Sequence, residues 1–184
     1  MTRFADAQAH AHRLKLMAFD VDGVLTDGSL FYSDDGIELK AFNTLDGLGL
    51  KMLQNAGLQV AIITGRKAGC VEARMKNLGI DLLFQGVGDK LAVMQRLLGD
   101  LGLQAAEAGY MGDDLPDLQI MAGCGFSATP ANGHALAKRI ARHTTQLAGG
   151  HGAVREICEF ILDAQGKLDA AYAPFLPGDR GVER

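Results

Sequence analysis

Short apolar runs that end in polar residues alternate along this chain with segments whose apolar residues recur every three to four positions. The runs at 14–20 (LKLMAFD), 58–65 (LQVAIITG), 81–86 (DLLFQG), 107–113 (EAGYMGD) and 124–129 (CGFSAT) predict five strands. Several are apolar on both faces, as a parallel sheet covered by helices on each side requires. Between them, Leu45, Leu48, Met52 and Ala56 form one helical stripe. Val71, Met75 and Leu78 form a second, and Leu91, Met94, Leu98 and Leu101 a third. Gly57, Gly79 and Gly102 fall where helix C-caps belong. Strand-then-helix units with short connections predict an α/β fold, a doubly wound parallel sheet flanked by helices.

One stretch breaks the rhythm. Residues 28–42 (GSLFYSDDGIELKAF) read as two strand-like halves around Asp34-Asp35-Gly36, a β-hairpin directly after the first strand. Residues 1–13 read as a short, frayed polar leader, and 173–184 as a charged, Pro-containing tail outside the packed core. A chain of 184 residues is one domain in size, so 1–184 is expected to fold as a single domain.

The strand ends carry the chemistry. Asp20 and Asp22 end the first run, Thr64 the second, Lys90 follows the third, and Asp113, Asp114 and Asp117 end and follow the fourth. In an open parallel sheet such ends converge on one crevice, so residues far apart in sequence meet there. Clustered carboxylates repel one another unless a hard cation binds them, and Mg²⁺ takes one or two carboxylates together with water and phosphate oxygens. A carboxylate can also accept a phosphoryl group. A second carboxyl two residues on can protonate the leaving oxygen and later deprotonate water. Thr64 and Lys90 suit the non-bridging oxygens of the transferring group.

Each piece alone has an ordinary reading. DxDG forms turns, Thr-Gly forms loops, a lone lysine sits on a solvated helix, and Asp-Asp-Leu-Pro caps a helix. Their occurrence in order, each at an expected strand end, is what points to phosphoryl transfer.

FDVDGVLTDG, AIITGR, the Lys90 of GDKLAVM, and GYMGDDLPDL resemble the four motifs of the haloacid dehalogenase superfamily. Within it, GIELKAFNTLDGLGLKML, IITGRKAGCVEARMKNLGI and GGHGAVREICEFILDAQGKLD are similar to the 3-deoxy-D-manno-octulosonate 8-phosphate phosphatase family, over about residues 16–169. The resemblance implies a Mg²⁺-dependent phosphatase working through an aspartyl-phosphate on a phosphorylated sugar acid, in lipopolysaccharide precursor supply. It makes Asp20 the nucleophile and a metal ligand. Asp22 becomes the acid/base, binding metal through its backbone carbonyl, and Asp113 completes the inner metal shell. Thr64 and Lys90 would bind the phosphoryl group, with Asp114 and Asp117 orienting metal water and Lys90. Gly65, Arg66, Arg155, Asn43 and Asp46 would contact substrate.

The segments from Asp22 to Thr64 and from Thr64 to Asp113 are too short to hold a cap domain once core elements are counted. An uncapped site needs another lid. The resemblance implies a homotetramer whose hairpins form a central barrel and whose subunits cover one another's sites. Leu30, Phe31, Tyr32 and Ile37 on the hairpin suit that use; the alternative is a hairpin folded on its own core.

Composition narrows the partners. With 48% hydrophobic and 22% charged residues the chain reads as soluble and globular. A net charge of −4 with no Lys/Arg block argues against nucleic acid. No apolar run reaches the roughly 18 residues that span a bilayer. The N-terminus lacks the apolar stretch of a signal peptide, and the three unpaired-looking cysteines suit a reducing, cytoplasmic setting. His10 and His12 lie in the leader and are not expected to bind metal. The competing functions are the same hydrolysis on a nonulosonate 9-phosphate and, in a different class, a non-catalytic oligomerisation or binding module.

Overall fold

The computed structural model describes residues 3–177, which fold around one parallel sheet. Its strands are β1 (Leu16–Phe19), β4 (Gln59–Ile63), β5 (Leu82–Phe84), β6 (Ala108–Met111), β7 (Phe126–Thr129) and β8 (His143–Thr144), in the order β5-β4-β1-β6-β7-β8. All neighbours pair in parallel. The chain therefore leaves β1 in one direction through β4 and β5, then crosses back and runs outward through β6, β7 and β8. That reversal puts the ligand crevice over the C-terminal ends of β1, β4 and β6.

The two-residue alternation of these strands sorts the core into two layers. Met17, Phe19, Val60 and Ile62 face α1 (Arg3–Ala11), α2 (Thr44–Asn55), α3 (Gly69–Leu78) and α7 (Ala153–Ala164). Leu16, Ala18, Ala61, Ile63 and Tyr110 face α4 (Lys90–Leu101), α5 (Leu118–Gly123) and α6 (Ala135–Ile140). A short α8 (Leu168–Tyr172) leads to the last described turn. The hairpin pairs β2 (Phe31–Tyr32) with β3 (Glu38–Leu39), and Gly36 takes the left-handed conformation its turn needs (φ +76°). Apart from this hairpin, the described residues hold no insertion that could serve as a cap.

The structure departs from the sequence expectations in three places. The segment expected to be a frayed leader is helical over Arg3–Ala11. Ala7 and Ala11 are fully buried against the α7 layer, Phe4 stacks edge-on to Phe160 at 5.7 Å, and Asp6 pairs with Arg142 at 2.9 Å. Small alanines at four-residue spacing let the helix seat closely, which a reading of polarity alone overlooks. Met1, Thr2, the side chain of Arg3 and residues 178–184 of the expected tail lie outside what the structure describes.

The α2 stripe holds at Leu48, Met52 and Ala56, which lie in or against the core, but not at Leu45. Leu45 is 55% exposed, whereas Asp46, Gly47, Gly49, Leu50 and Leu53 are buried beside Met52. Two glycines on the inner face allow close contact with neighbouring side chains, so Leu50, Met52 and Leu53 seat closely in the core. Finally, β8 has no period of its own. It exists because Ala128 and Thr129 offer a free sheet edge to His143 and Thr144.

Candidate active site

Parallel pairing sets Phe19 level with Ile62 and Met111, so the residues that follow them arrive together at the sheet's edge. Asp20, immediately after β1, receives Lys90 Nζ on its Oδ2 at 2.6 Å and its neighbour's N–H (Val21) on Oδ1 at 2.7 Å. Lys90 is the first residue of α4, brought in by the Asp89 side chain, which caps that helix by accepting from Ala92 N–H at 2.9 Å. Thr64 follows β4 and is almost fully buried, with its backbone tied to Phe84 and Val87.

Asp117 is the hub. Its Oδ1 accepts from Lys90 Nζ at 2.7 Å and lies 3.0 Å from the Tyr110 hydroxyl. Its Oδ2 accepts the backbone N–H of Asp113 at 2.9 Å and of Asp114 at 3.1 Å. The Pro116-containing turn Leu115–Asp117 folds the side chain back over its own loop to do this. Tyr110 accepts from Lys90 Nζ at 3.1 Å and shares its single proton between Asp117 and the carbonyl of Ile63. Burial pushes the Tyr110 hydroxyl well up, so it stays neutral there.

A crevice of about 350 Å³ gathers Asp20, Asp22, Thr64, Gly65, Arg66, Lys90, Asp113, Asp114 and Asp117. Burial first, and then the charge of Asp117, raises Asp20 to about 6 against the opposing pull of Lys90. Burial followed by Asp117, Asp20 and Asp114 raises Asp113 to about 7. Burial alone would lower Lys90, but Asp20 and Asp117 outweigh it and keep the ammonium charged. Gly23 makes the carboxylate approach possible. A side chain there would meet Asp113 Oδ2 at 2.1 Å, and its φ of +82° already excludes most residues.

Oxygens of Asp20, Asp113 and Asp117 lie within 4.8 Å of one another, the one such metal-competent group among the described residues. Asp117 has both oxygens committed to four donors, which leaves Asp20 and Asp113 as the carboxylates with capacity to spare. Two carboxyls raised by burial and by the neighbouring charge of Asp117 fit a hard divalent cation, which takes one or two carboxylates and fills the rest with other oxygens.

Three expected substrate contacts lie elsewhere. Asn43 caps α2, accepting from Leu45 N–H at 2.8 Å, and its amide donates to the Gly150 carbonyl at 3.1 Å. Asp46 is 1% exposed and accepts from Arg155 N–H at 2.8 Å and Gly152 N–H at 3.3 Å, closing the start of α7. The Arg155 guanidinium pairs with Glu159 at 2.6 Å. Together they fasten the 149–152 loop to α2, and none lines the crevice. Sequence reading missed Tyr110, which could have been found as the polar end of an otherwise apolar strand face. It also missed Lys40, whose side chain is 1% exposed and pairs with Asp22 and Glu38. Nothing local to its sequence marks it.

The geometry can be set beside known proteins. No family model matches the chain. The 3-deoxy-D-manno-octulosonate 8-phosphate phosphatase KdsC of Escherichia coli (strain K12) is 46% identical over 167 residues, 91% of this chain and 89% of that protein. A crystal structure of the 3-deoxy-D-manno-octulosonate 8-phosphate phosphatase of Moraxella catarrhalis, in complex with magnesium ion, phosphate ion and KDO, superposes with a TM-score of 0.91 at 43% identity. It covers 93% of this chain and 98% of that one. The cobalt-bound phosphatase of Haemophilus influenzae gives 0.85 at 40% identity, covering 88% of this chain and 94% of that one. Likeness of this extent, over a sheet whose strand ends carry the same acidic and basic groups the sequence pointed to, places the chain in the 3-deoxy-D-manno-octulosonate 8-phosphate phosphatase family of the haloacid dehalogenase superfamily.

Proposed function

We propose that this protein hydrolyses the phosphate monoester of 3-deoxy-D-manno-octulosonate 8-phosphate, releasing the sugar acid and phosphate, with Mg²⁺ as cofactor. The observation that carries the chemistry is the buried pairing of Lys90 with both Asp20 and Asp117 at the switch point, beside a second raised carboxyl at Asp113. The substrate and metal rest on the close relatives, one of them bound to magnesium, phosphate and KDO.

Asp20 Oδ attacks phosphorus while the ester oxygen leaves, and Asp22 supplies that oxygen with a proton. Water then attacks the aspartyl-phosphate, giving its proton to Asp22 and restoring Asp20. Lys90 fixes the attacking carboxylate and, with Thr64 in the same crevice, would hold the transferring oxygens. Asp117 and Tyr110 hold Lys90 in place. Asp20, Asp113 and the Asp22 carbonyl would hold the cation, and Asp114 would orient water on it. When bound, Mg²⁺ offsets the repulsion between a carboxylate nucleophile and a phosphate dianion. Gly65 and Arg66 border the crevice and suit the sugar-acid end. Asn43, Asp46 and Arg155 serve it indirectly, through the loop they fasten.

The hairpin leaves Leu30, Phe31, Tyr32, Ile37 and Leu39 each about half exposed. This argues against a hairpin folded on its own core and supports its use between subunits of a homotetramer. Light scattering at working concentration tests this, and a monomer refutes it. No helix among the described residues is long and apolar enough to cross a membrane. A cytoplasmic place, supplying lipopolysaccharide precursor, suits a chain of free cysteines.

The deciding assay is phosphate release with Mg²⁺ from a panel of 3-deoxy-D-manno-octulosonate 8-phosphate, a nonulosonate 9-phosphate, simple sugar phosphates and phosphoserine. We expect the octulosonate ester to lead by at least about tenfold in kcat/KM, about 1.4 kcal/mol of transition-state preference. Leadership by another ester refutes the substrate, and no turnover refutes the enzyme in favour of a binding module.

A further inference from the structure

Asp20 and Asp117 are each held by several donors, but the Asp22 carboxylate has one recorded partner among the described residues, the ammonium of Lys40. Lys40 directly follows β3, the strand that closes the hairpin, eighteen residues further along the chain than Asp22. Its side chain is 1% exposed, so the contact is little screened by salt or water. The same ammonium lies 2.6 Å from Glu38 Oε1. Glu38 in turn accepts from Arg66 at 2.7 Å, and Arg66 donates to the Tyr32 hydroxyl at 2.9 Å. The result is a chain of alternating acidic and basic side chains, Asp22, Lys40, Glu38, Arg66, that links the hairpin to two sides of the crevice.

We propose that Lys40 is a positioning residue for Asp22: it fixes the carboxyl where the leaving oxygen departs and faces the carboxylate that remains once the proton is given. The inference rests on the acid role proposed above for Asp22. In that step the Asp20 oxygen bonds to phosphorus, the bond from phosphorus to the ester oxygen breaks, and the Asp22 proton passes to the departing oxygen. Asp22 is then an anion beside a buried cation, until attacking water returns the proton. Glu38 keeps Lys40 from swinging away, and Arg66 balances Glu38. A hairpin whose outer face is apolar thus carries, on its inner edge, the group that orients the acid.

The test separates orientation of the acid from a general loss of structure. Sugar-phosphate esters expel an alkoxide that needs a proton, whereas para-nitrophenyl phosphate expels a phenolate that does not. Since kcat/KM reports the step in which the leaving group departs, it is compared for 3-deoxy-D-manno-octulosonate 8-phosphate and para-nitrophenyl phosphate in wild type, Lys40→Met and Asp22→Asn. Lys40→Met should lose about 10- to 100-fold on the sugar ester, within the reach of general acid catalysis, and less than about threefold on the aryl ester. Asp22→Asn should show the same selectivity to a larger degree, and adding Lys40→Met to it should cost nothing further. Removing one member of a buried ion pair strands its partner, so Glu38→Gln/Lys40→Met provides a variant that removes Lys40 without changing the net charge of the network, with the same expected selectivity. If Asp22→Asn is selective but both Lys40 variants lose activity equally on the two esters, or not at all, the positioning role is overturned. If Asp22→Asn is itself unselective, the acid role falls and the Lys40 inference with it.

Discussion

Gly149→Ala puts the support of the catalytic loop to a direct test. A Cβ at this position would stand 1.8 Å from the Gly23 carbonyl oxygen, 2.6 Å from its carbon and 3.1 Å from the Thr26 carbonyl oxygen. Real Cβ atoms essentially never approach within 3.0 Å, so the two loops must part by about 1.2 Å, the difference between 3.0 and 1.8. Both obstacles are backbone, so no side chain can swing aside. Gly23 is fixed between Asp22 and the Asp113 carboxylate, and the 149–152 loop is fastened from behind by Asn43 and Asp46. The strain therefore falls on the acid and on one wall of the metal site. Overpacking of this kind costs about 1–3 kcal/mol, and misplacement of reacting groups by about 1 Å costs on the order of a hundredfold in rate. For a domain of this size the stability loss corresponds to a fall of roughly 3–10 °C in Tm. Steady-state phosphate release at saturating Mg²⁺, run well below the melting transition, should show kcat reduced about a hundredfold in a folded protein. A lowered Tm with kcat within about threefold of wild type would show that the 149–152 loop yields without moving the catalytic loop, and would refute the reasoning.

Asp20→Asn should abolish turnover to below about a thousandth of wild type while circular dichroism and Tm show an intact fold; turnover near normal sinks the nucleophile assignment. Tyr110→Phe removes one of three oxygens holding Lys90 and should lower kcat about tenfold with little change in KM, whereas an unchanged kcat would show that Asp20 and Asp117 suffice. In EDTA the folded carboxyls at Asp113 (about 7) and Asp20 (about 6) bind protons more tightly than the unfolded chain does at 3.8. Stability therefore falls as pH rises from about 4 through 7. With solvent screening allowed for, Asp113 accounts for about 2 kcal/mol, or roughly 4–8 °C, measurable as Tm between pH 5 and pH 8. Asp113→Asn or added Mg²⁺ should flatten that slope, and a slope unchanged by either refutes the electrostatic account of the site.

The five main strands, the C-cap glycines at 79 and 102 and the hairpin turn were legible because they depend on local period and turn chemistry. So were the chemical groups at the ends of β1, β4 and β6 and at the head of α4, because topology brings strand ends together whatever the packing beneath. The family marks FNTLDG and GGHGAVRE were legible as marks but not as parts. Their polar residues face each other across α2 and α7, a relation no spacing along the chain reveals, and so the loop they brace was not legible. The helix at Arg3–Ala11 was missed because its buried face is made of alanines, whose contribution comes from closeness of approach rather than hydrophobicity.

By itself, then, the amino-acid order determined the alternation of strands and helices, and with it the sheet, the crevice and the acidic and basic groups at its mouth. Tertiary structure alone decided which oxygens of Asp117 were already taken, that Tyr110 stands beneath Lys90, and that Lys40 returns from the hairpin to Asp22. The physical reason is that a residue's chemistry is written in its own side chain, but its partners, its burial and its charge state depend on what distant segments bring within hydrogen-bonding distance.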